Sequence, residues 1–189
     1  MRRLNLAIVF VLLVLLAVSS SATAQQARKK ESPQRVRLAG GRISFVPPAG
    51  FKAMSKEDIT FKFGRNGGAH APDVVYSNER QNVSVAVRFA PSRVAPEHLD
   101  EFQKVMETTL EGSIPNLEWL AREQLTLNGV RWIHFSLKAA AIDTGVHNEM
   151  YFTPFDDKVL IFNFNSTIGE YEKYGASLKQ SARTIIVKP

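Results

Sequence analysis

Apolar and polar residues alternate along most of this chain, and the alternation predicts strands. Arg42 to Val46 reads as a half-buried strand stopped by Pro47-Pro48-Ala49-Gly50, with Phe51 packing back after the turn. A second alternating run puts Ile59, Phe61 and Phe63 on one face, which makes them core candidates. Val74 to Tyr76 and Val83 to Phe89 follow, joined by a polar turn, so a hairpin is expected there. The period then changes. Leu99, Phe102, Met106 and Leu110 recur at three- and four-residue spacing inside Pro96 to Leu110. Proline suits the opening of that helix, acidic residues suit its first turn, and Gly112 marks its exit.

The C-terminal third is the best-formed stretch. Trp119 to Leu127 and Val130 to Ala139 form a hairpin around Asn128-Gly129, a pair suited to the positive φ angles of a two-residue turn. That turn sets Leu127 opposite Val130, Leu125 opposite Trp132 and Glu123 opposite His134. Leu120, Ile133, Phe135 and Leu137 fall on the other face, so the sheet is covered on both sides. Gly145 to Phe155 and Lys158 to Asn165 are two further strands, joined across Asp156-Asp157. Thr167-Ile168-Gly169-Glu170 fits a capping box, opening a helix whose buried stripe is Tyr171, Tyr174 and Leu178. Thr184 to Val187 closes the sheet.

The first residues follow a different logic. Arg2 and Arg3, an apolar run from Leu6 to Val18 and the small-residue site Ala22-Thr23-Ala24 make residues 1–24 a cleaved signal peptide. The run is short of the roughly 20 residues needed to span a bilayer. An exported chain without cysteine is neither a lipoprotein nor disulfide-stapled, and it holds no thiolate metal or cysteine nucleophile. Its 44% hydrophobic content is ample for an ordinary core.

The net charge of +6 is local in origin. Arg2 and Arg3 supply two of these charges. Arg28, Lys29, Lys30, Arg35 and Arg37, set against Glu31, supply the other four, so residues 38–189 are neutral. A neutral domain gives no footprint for nucleic acid. Residues 25–37 read as a disordered basic linker, a solvated spacer that also permits weak contact with an anionic surface.

Candidate chemistry is sparse. The loop Gly64 to Asp73 has three glycines, but it lacks the Lys-Ser/Thr ending of a phosphate-binding loop and no helix follows. His70 and Asp73 there are only two potential ligands, and His98 lies off the helix stripe. Glu123 and His134 form a cross-strand acid and histidine, the pairing of a general base with its orienter and equally an ordinary strand contact. His147 and Glu149 share a strand face. With His134 they form a metal site if their strands neighbour in the right register. Asp156 and Asp157 are accounted for by turn formation. The patterns Asn82-Val83-Ser84 and Asn165-Ser166-Thr167 match the glycosylation acceptor, relevant only in a eukaryotic secretory route. No nucleophile elbow, zinc-protease pair or dinucleotide fingerprint is present.

One resemblance is carried by Asn128-Gly129-Val130-Arg131-Trp132, the bend at Gly145, the aromatic strand ending Ile161-Phe162-Asn163-Phe164, the capped helix with Tyr171 and Leu178, and Ser181-Ala182-Arg183-Thr184-Ile185. Together these resemble the PsbP-like fold family. Ile43-Ser44-Phe45-Val46-Pro47-Pro48-Ala49-Gly50-Phe51 is similar to the opening of its bacterial DcrB-like exported members. The resemblance implies an α+β fold over residues 38–189, an antiparallel β-sheet flanked by helices on both faces. The family includes extrinsic subunits of the photosynthetic oxygen-evolving complex, a nuclear-transport regulator that binds a small GTPase, and bacterial envelope proteins. It supplies no family-wide catalytic motif. The expectation is a periplasmic or secreted accessory domain that binds a protein partner, is not an enzyme and needs no cofactor. The alternative is a small-ligand or divalent-metal binding protein, or a hydrolase, using His134, His147 and Glu149.

Overall fold

A computed structural model of the chain describes residues 34–64, 71–140 and 145–188. The predicted signal peptide, most of the basic stretch, Gly67, Gly68 and His70 lie outside the described residues. The fold is α+β. Strands β1 (Val36–Leu38), β2 (Ile43–Phe45), β3 (Lys52–Ala53), β4 (Val74–Ser77), β5 (Val83–Ala90), β6 (Glu118–Leu127), β7 (Val130–Ala140), β8 (Gly145–Phe155), β9 (Lys158–Thr167) and β10 (Ile186–Val187) are joined by helices α1 (Lys56–Phe63), α2 (Leu99–Ser113) and α3 (Ile168–Ala182). Seven strands form one antiparallel sheet in the order β3-β4-β5-β9-β8-β7-β6, and β1, β2 and β10 form a separate small sheet. Among the described residues no helix is long and apolar enough to cross a membrane.

The two faces of the large sheet bury different sets of side chains, as strand alternation requires. On one face Val85, Trp132, Phe162 and Phe164 pack with Ile43 and Phe45 of β2 and with Leu178 and Ala182 of α3. On the other, Ile133, Phe135, Phe152 and Val159 meet Leu99, Phe102, Met106 and Leu110 of α2. The predicted helix stripe is therefore the docking face of α2. The Asn128-Gly129 turn has φ of 50° and 83°, and the strand register that it predicts is observed.

Four expectations are corrected. Ile59 to Phe63 is the helix α1, opened by Ser55, whose side chain accepts from the Asp58 amide at 3.1 Å. Five alternating residues fit a strand, but the cap and the acidic first turn (Glu57, Asp58) select the helix. In that helix Ile59 is buried and Phe61 is 74% exposed. The ordered domain also begins inside the stretch assigned to the linker. Arg37 pairs with Ser44, Val36 with Phe45, and the Arg35 guanidinium donates to Ser44 Oγ and to the Thr184 carbonyl. Two apolar residues between arginines were too short a pattern to read as a strand.

The C-terminal strand closes the small sheet instead of the large one, Ile186 lying opposite Ser44. Finally, β6 slips register by one residue between Trp119 and Ala121. The bulge turns Trp119 inward against Phe135 and leaves Leu120 exposed, reversing the faces expected for them.

Candidate functional site

Three adjacent strands bring the predicted site residues together. In β6, β7 and β8, Glu123 lies opposite His134 and His134 opposite Tyr151. One step along, Ser136 lies opposite Glu149, and then Lys138 opposite His147. The pleat puts His134, Ser136, His147 and Glu149 on the face that α3 covers. Gly145 opens β8 beneath the start of α3: a side chain there would run into the Ile168 side chain, so glycine permits the close approach of strand and helix.

Glu149 is the centre. Its carboxylate accepts from His134 Nε2 at 2.7 Å, from His147 Nε2 at 3.2 Å and from the Tyr171 hydroxyl of α3 at 2.6 Å. The ammonium of Lys179, also on α3, stands 3.9 Å away. His134 uses its other nitrogen on Glu123, at 3.0 Å. Two aromatic rings complete the setting: Tyr171 stacks on His147 with centroids 3.5 Å apart, and Tyr151 stacks on His134 at 4.6 Å. Glu149, His147 and Ser136 are buried, whereas Glu123 reaches solvent.

Electrostatics follow from this geometry. Burial alone would push the Glu149 carboxyl up, but the hydrogen bonds from His134, His147 and Tyr171 outweigh it and hold Glu149 well below the usual carboxylate range. Burial pulls His134 down, and its bonds to Glu149 and Glu123 more than reverse that, so His134 is raised. Both tyrosines are raised, first by burial and then by the neighbouring carboxylate charge, with Tyr171 also raised by its bond to Glu149.

The cluster contains the residue types of a serine triad without its geometry. Ser136 Oγ lies 3.2 Å from His147 Nε2, the same nitrogen that serves Glu149. A triad needs the serine on one ring nitrogen and the carboxylate on the other. Nor is a lone pair of His134 open to an ion, since each ring nitrogen already faces a carboxylate oxygen. Among the described residues no group of three or more His, Asp and Glu is set to hold a metal.

The remaining candidates are dispersed. His98 is exposed and pairs with Glu101 at 2.7 Å. Asp73 accepts from the Phe89 amide at 2.8 Å, a strand contact. Asp156 takes positive φ in the turn between β8 and β9 and binds the Arg42 guanidinium with both oxygens, beside a shallow cavity of about 280 Å³ lined by Phe89, Phe155 and Lys158. Thr167 occupies the N-cap position of α3, but its side chain makes no capping hydrogen bond and the expected capping box does not form. Glu170 accepts from Asn82 Nδ2 at 3.4 Å instead of turning back on the helix. The other glycosylation candidate, Asn165, donates to Asn148 at 2.7 Å.

Sequence reasoning missed Ser136 and Tyr171 as members of the site. Ser136 carried a signal, sharing a strand face with His134 two residues away. Tyr171 carried none beyond its place in an apolar helix stripe.

No family model matches the sequence, and no curated protein matches it. Solved structures do. Cyanobacterial PsbP (CyanoP) from Synechocystis superposes with a TM-score of 0.57 at 15% identity, covering 82% of this chain and 92% of that one. LpqN of Mycobacterium tuberculosis, involved in cell envelope biogenesis, gives 0.53 at 10% identity over 84% and 91%. The Ran-binding protein Mog1p of Saccharomyces cerevisiae gives 0.52 at 18% identity over 82% and 95%. The chain has a PsbP-like fold.

Proposed function

We propose that this chain is an exported accessory protein of the cell envelope that acts by binding a protein partner and not by catalysis. The observation that carries the reading is the saturation of the polar cluster. Glu149 already accepts three hydrogen bonds under α3, and both nitrogens of His134 are engaged. A catalytic acid or base needs a hydrogen-bonding position left for a substrate proton, and these groups spend theirs on one another. Function then falls to the surface, where β6 ends the large sheet as a ten-residue edge strand of the kind that protein partners extend.

Export rests on the features of residues 1–24, with a periplasmic or secreted mature chain. Two structural neighbours add support: LpqN is involved in envelope biogenesis, and Mog1p binds a protein. To test the reading, a photo-crosslinking residue is placed at Thr126 on the exposed edge of β6 and, as a control, at Glu172 on the outer face of α3. In the native envelope the Thr126 position is expected to yield one adduct of defined mass that the control does not. A chain recovered only free and monomeric from both positions would remove the proposal.

A second reading keeps the convergence of His134, His147 and Glu149 as a divalent-metal or small-ligand site. It requires a metal to displace Glu149 from His134. Zinc titration of the folded chain decides it: stoichiometric binding that disappears in His134→Ala and His147→Ala favours the metal site, and no binding removes it.

A further inference from the structure

The tip of the hairpin between β6 and β7 does more than turn the chain. Asn128 projects its side-chain amide to the far side of the large sheet's end, where Nδ2 donates to the Ile185 carbonyl at 2.6 Å and to the Arg183 carbonyl at 3.2 Å. Arg183 is the C-cap of α3, and Ile185 immediately precedes β10. The last carbonyls of a helix have no partner within it and carry the negative end of its dipole, so an amide donor from elsewhere in the chain is well placed there. This contact joins residues more than fifty positions apart. It fastens the hairpin to the segment that enters the small sheet.

The residue making this contact is followed by Gly129, and Asn-Gly is the most chemically labile pairing of an asparagine, because no side chain hinders attack by the following amide. We propose that Asn128 is a site of spontaneous deamidation, restrained by the fold, whose reaction releases the end of α3 and β10 from the hairpin. The deprotonated backbone nitrogen of Gly129 attacks Cγ of Asn128, and the tetrahedral intermediate expels Nδ2 as ammonia to leave a five-membered succinimide. Water then opens the ring. Addition at Cγ gives aspartate, and addition at the main-chain carbonyl carbon gives isoaspartate, with the backbone rerouted through Cγ. The balance is one water consumed and one ammonia released.

The fold restrains the first step in two ways. The turn holds Asn128 at a φ of 50°, with a backbone already committed to a two-residue loop. The two carbonyls also hold the amide group that must rotate for ring closure. Once the reaction has occurred the same contacts reverse sign. A carboxylate has no hydrogen to donate and sets its negative charge against the Arg183 carbonyl, at the negative end of α3, and against the Ile185 carbonyl beyond it.

The test follows conversion at Asn128 by peptide mass spectrometry in the full chain held at mildly alkaline pH, once folded and once in concentrated urea. Asn66-Gly67, the chain's other Asn-Gly pair, serves as the reference for the unfolded sample. In urea both sites are expected to convert at similar rates, and folding is expected to slow Asn128 at least tenfold. Asn128→Asp is expected to lower Tm by roughly 3–6 °C, consistent with the loss of two hydrogen bonds, one of them part-buried, in a domain of this size. It is also expected to speed amide exchange at Ile186 and Val187 while leaving β8 and β9 unchanged. Equal rates in folded and unfolded chains would overturn the restraint. An unchanged Tm together with unchanged exchange in β10 would overturn the coupling, and if Asn128→Asp fails to accumulate, the same exchange measured on the aged wild-type chain decides it.

Discussion

Tyr171 lies flat on His147, their planes 7° from parallel, and its hydroxyl donates to Glu149 at 2.6 Å. One side chain of α3 therefore makes both an apolar and a charged contact with β8. The relationship separates experimentally. Tyr171→Phe keeps the stack and removes one donor from a carboxylate that is 3% exposed. The expected cost is about 2 kcal/mol, the range for a hydrogen bond to a buried charge. Urea unfolding at neutral pH measures it, and a loss under about 0.5 kcal/mol would mean that Glu149 does not depend on this donor.

The paired shifts of Glu149 and His134 give stability a defined pH profile. Glu149 is lowered from an ordinary value of 4.5, so its contribution is complete above that value in the unfolded chain and is lost as pH falls toward the folded value. His134 is raised from 6.5, so its contribution is complete below 6.5 and is lost as pH rises through the folded value. Stability is expected to be highest between about pH 4.5 and 6.5 and to fall on both sides. Urea midpoints across pH 3 to 9 test this, and His134→Gln is expected to flatten the alkaline limb. A wild-type midpoint constant from pH 6 to 9 would contradict the His134 assignment.

Much of this arrangement was legible because some residues dictate long-range pairing by local chemistry. Asn128-Gly129 permits a two-residue turn, and from that turn alone Glu123 must lie opposite His134. His147 and Glu149 share a face by strand period. The placement of β8 beside β7 does not follow from any local signal, because the connection between them specifies no turn geometry, and the cluster closes only through that pairing. Tyr171 was hidden for a similar reason: the rotation of α3 on the sheet is decided by Leu178, Ala182 and the space above Gly145, all of them tertiary matters. The misreading of Ile59 to Phe63 was different in kind. Ser55, Glu57 and Asp58 announced a helix, and a short alternating pattern masked them.

Ser166 offers a test in the opposite direction. It lies opposite His147 in β9 and is fully buried, yet its hydroxyl has no hydrogen-bond partner among the described residues. An unpaired buried hydroxyl carries its desolvation penalty without compensation. Ser166→Ala is therefore expected to be neutral to stabilising, by up to about 1 kcal/mol. Thermal and urea unfolding measure the change, and a loss above 1 kcal/mol would reveal a partner for the hydroxyl, such as a bound water.

The bulge in β6 makes the last prediction, and it sets two neighbours against the faces that simple alternation assigns them. Without the slip, Leu120 would sit with Ile133, Phe135 and Leu137 and Trp119 would face the opposite side. With it, Trp119 packs edge-on against Phe135 with centroids 5.2 Å apart, donates its indole hydrogen to Glu111 of α2 at 2.9 Å, and lies beneath the Arg122 guanidinium. Leu120 is 44% exposed. Trp119→Ala is expected to cost about 3 kcal/mol, since it removes a large ring between sheet and helix. Leu120→Thr is expected to stay within about 0.5 kcal/mol, as a surface change on an edge strand does. Urea unfolding of the two variants side by side reads the register directly: a large loss from Leu120→Thr with a small one from Trp119→Ala would mean that β6 continues without a bulge.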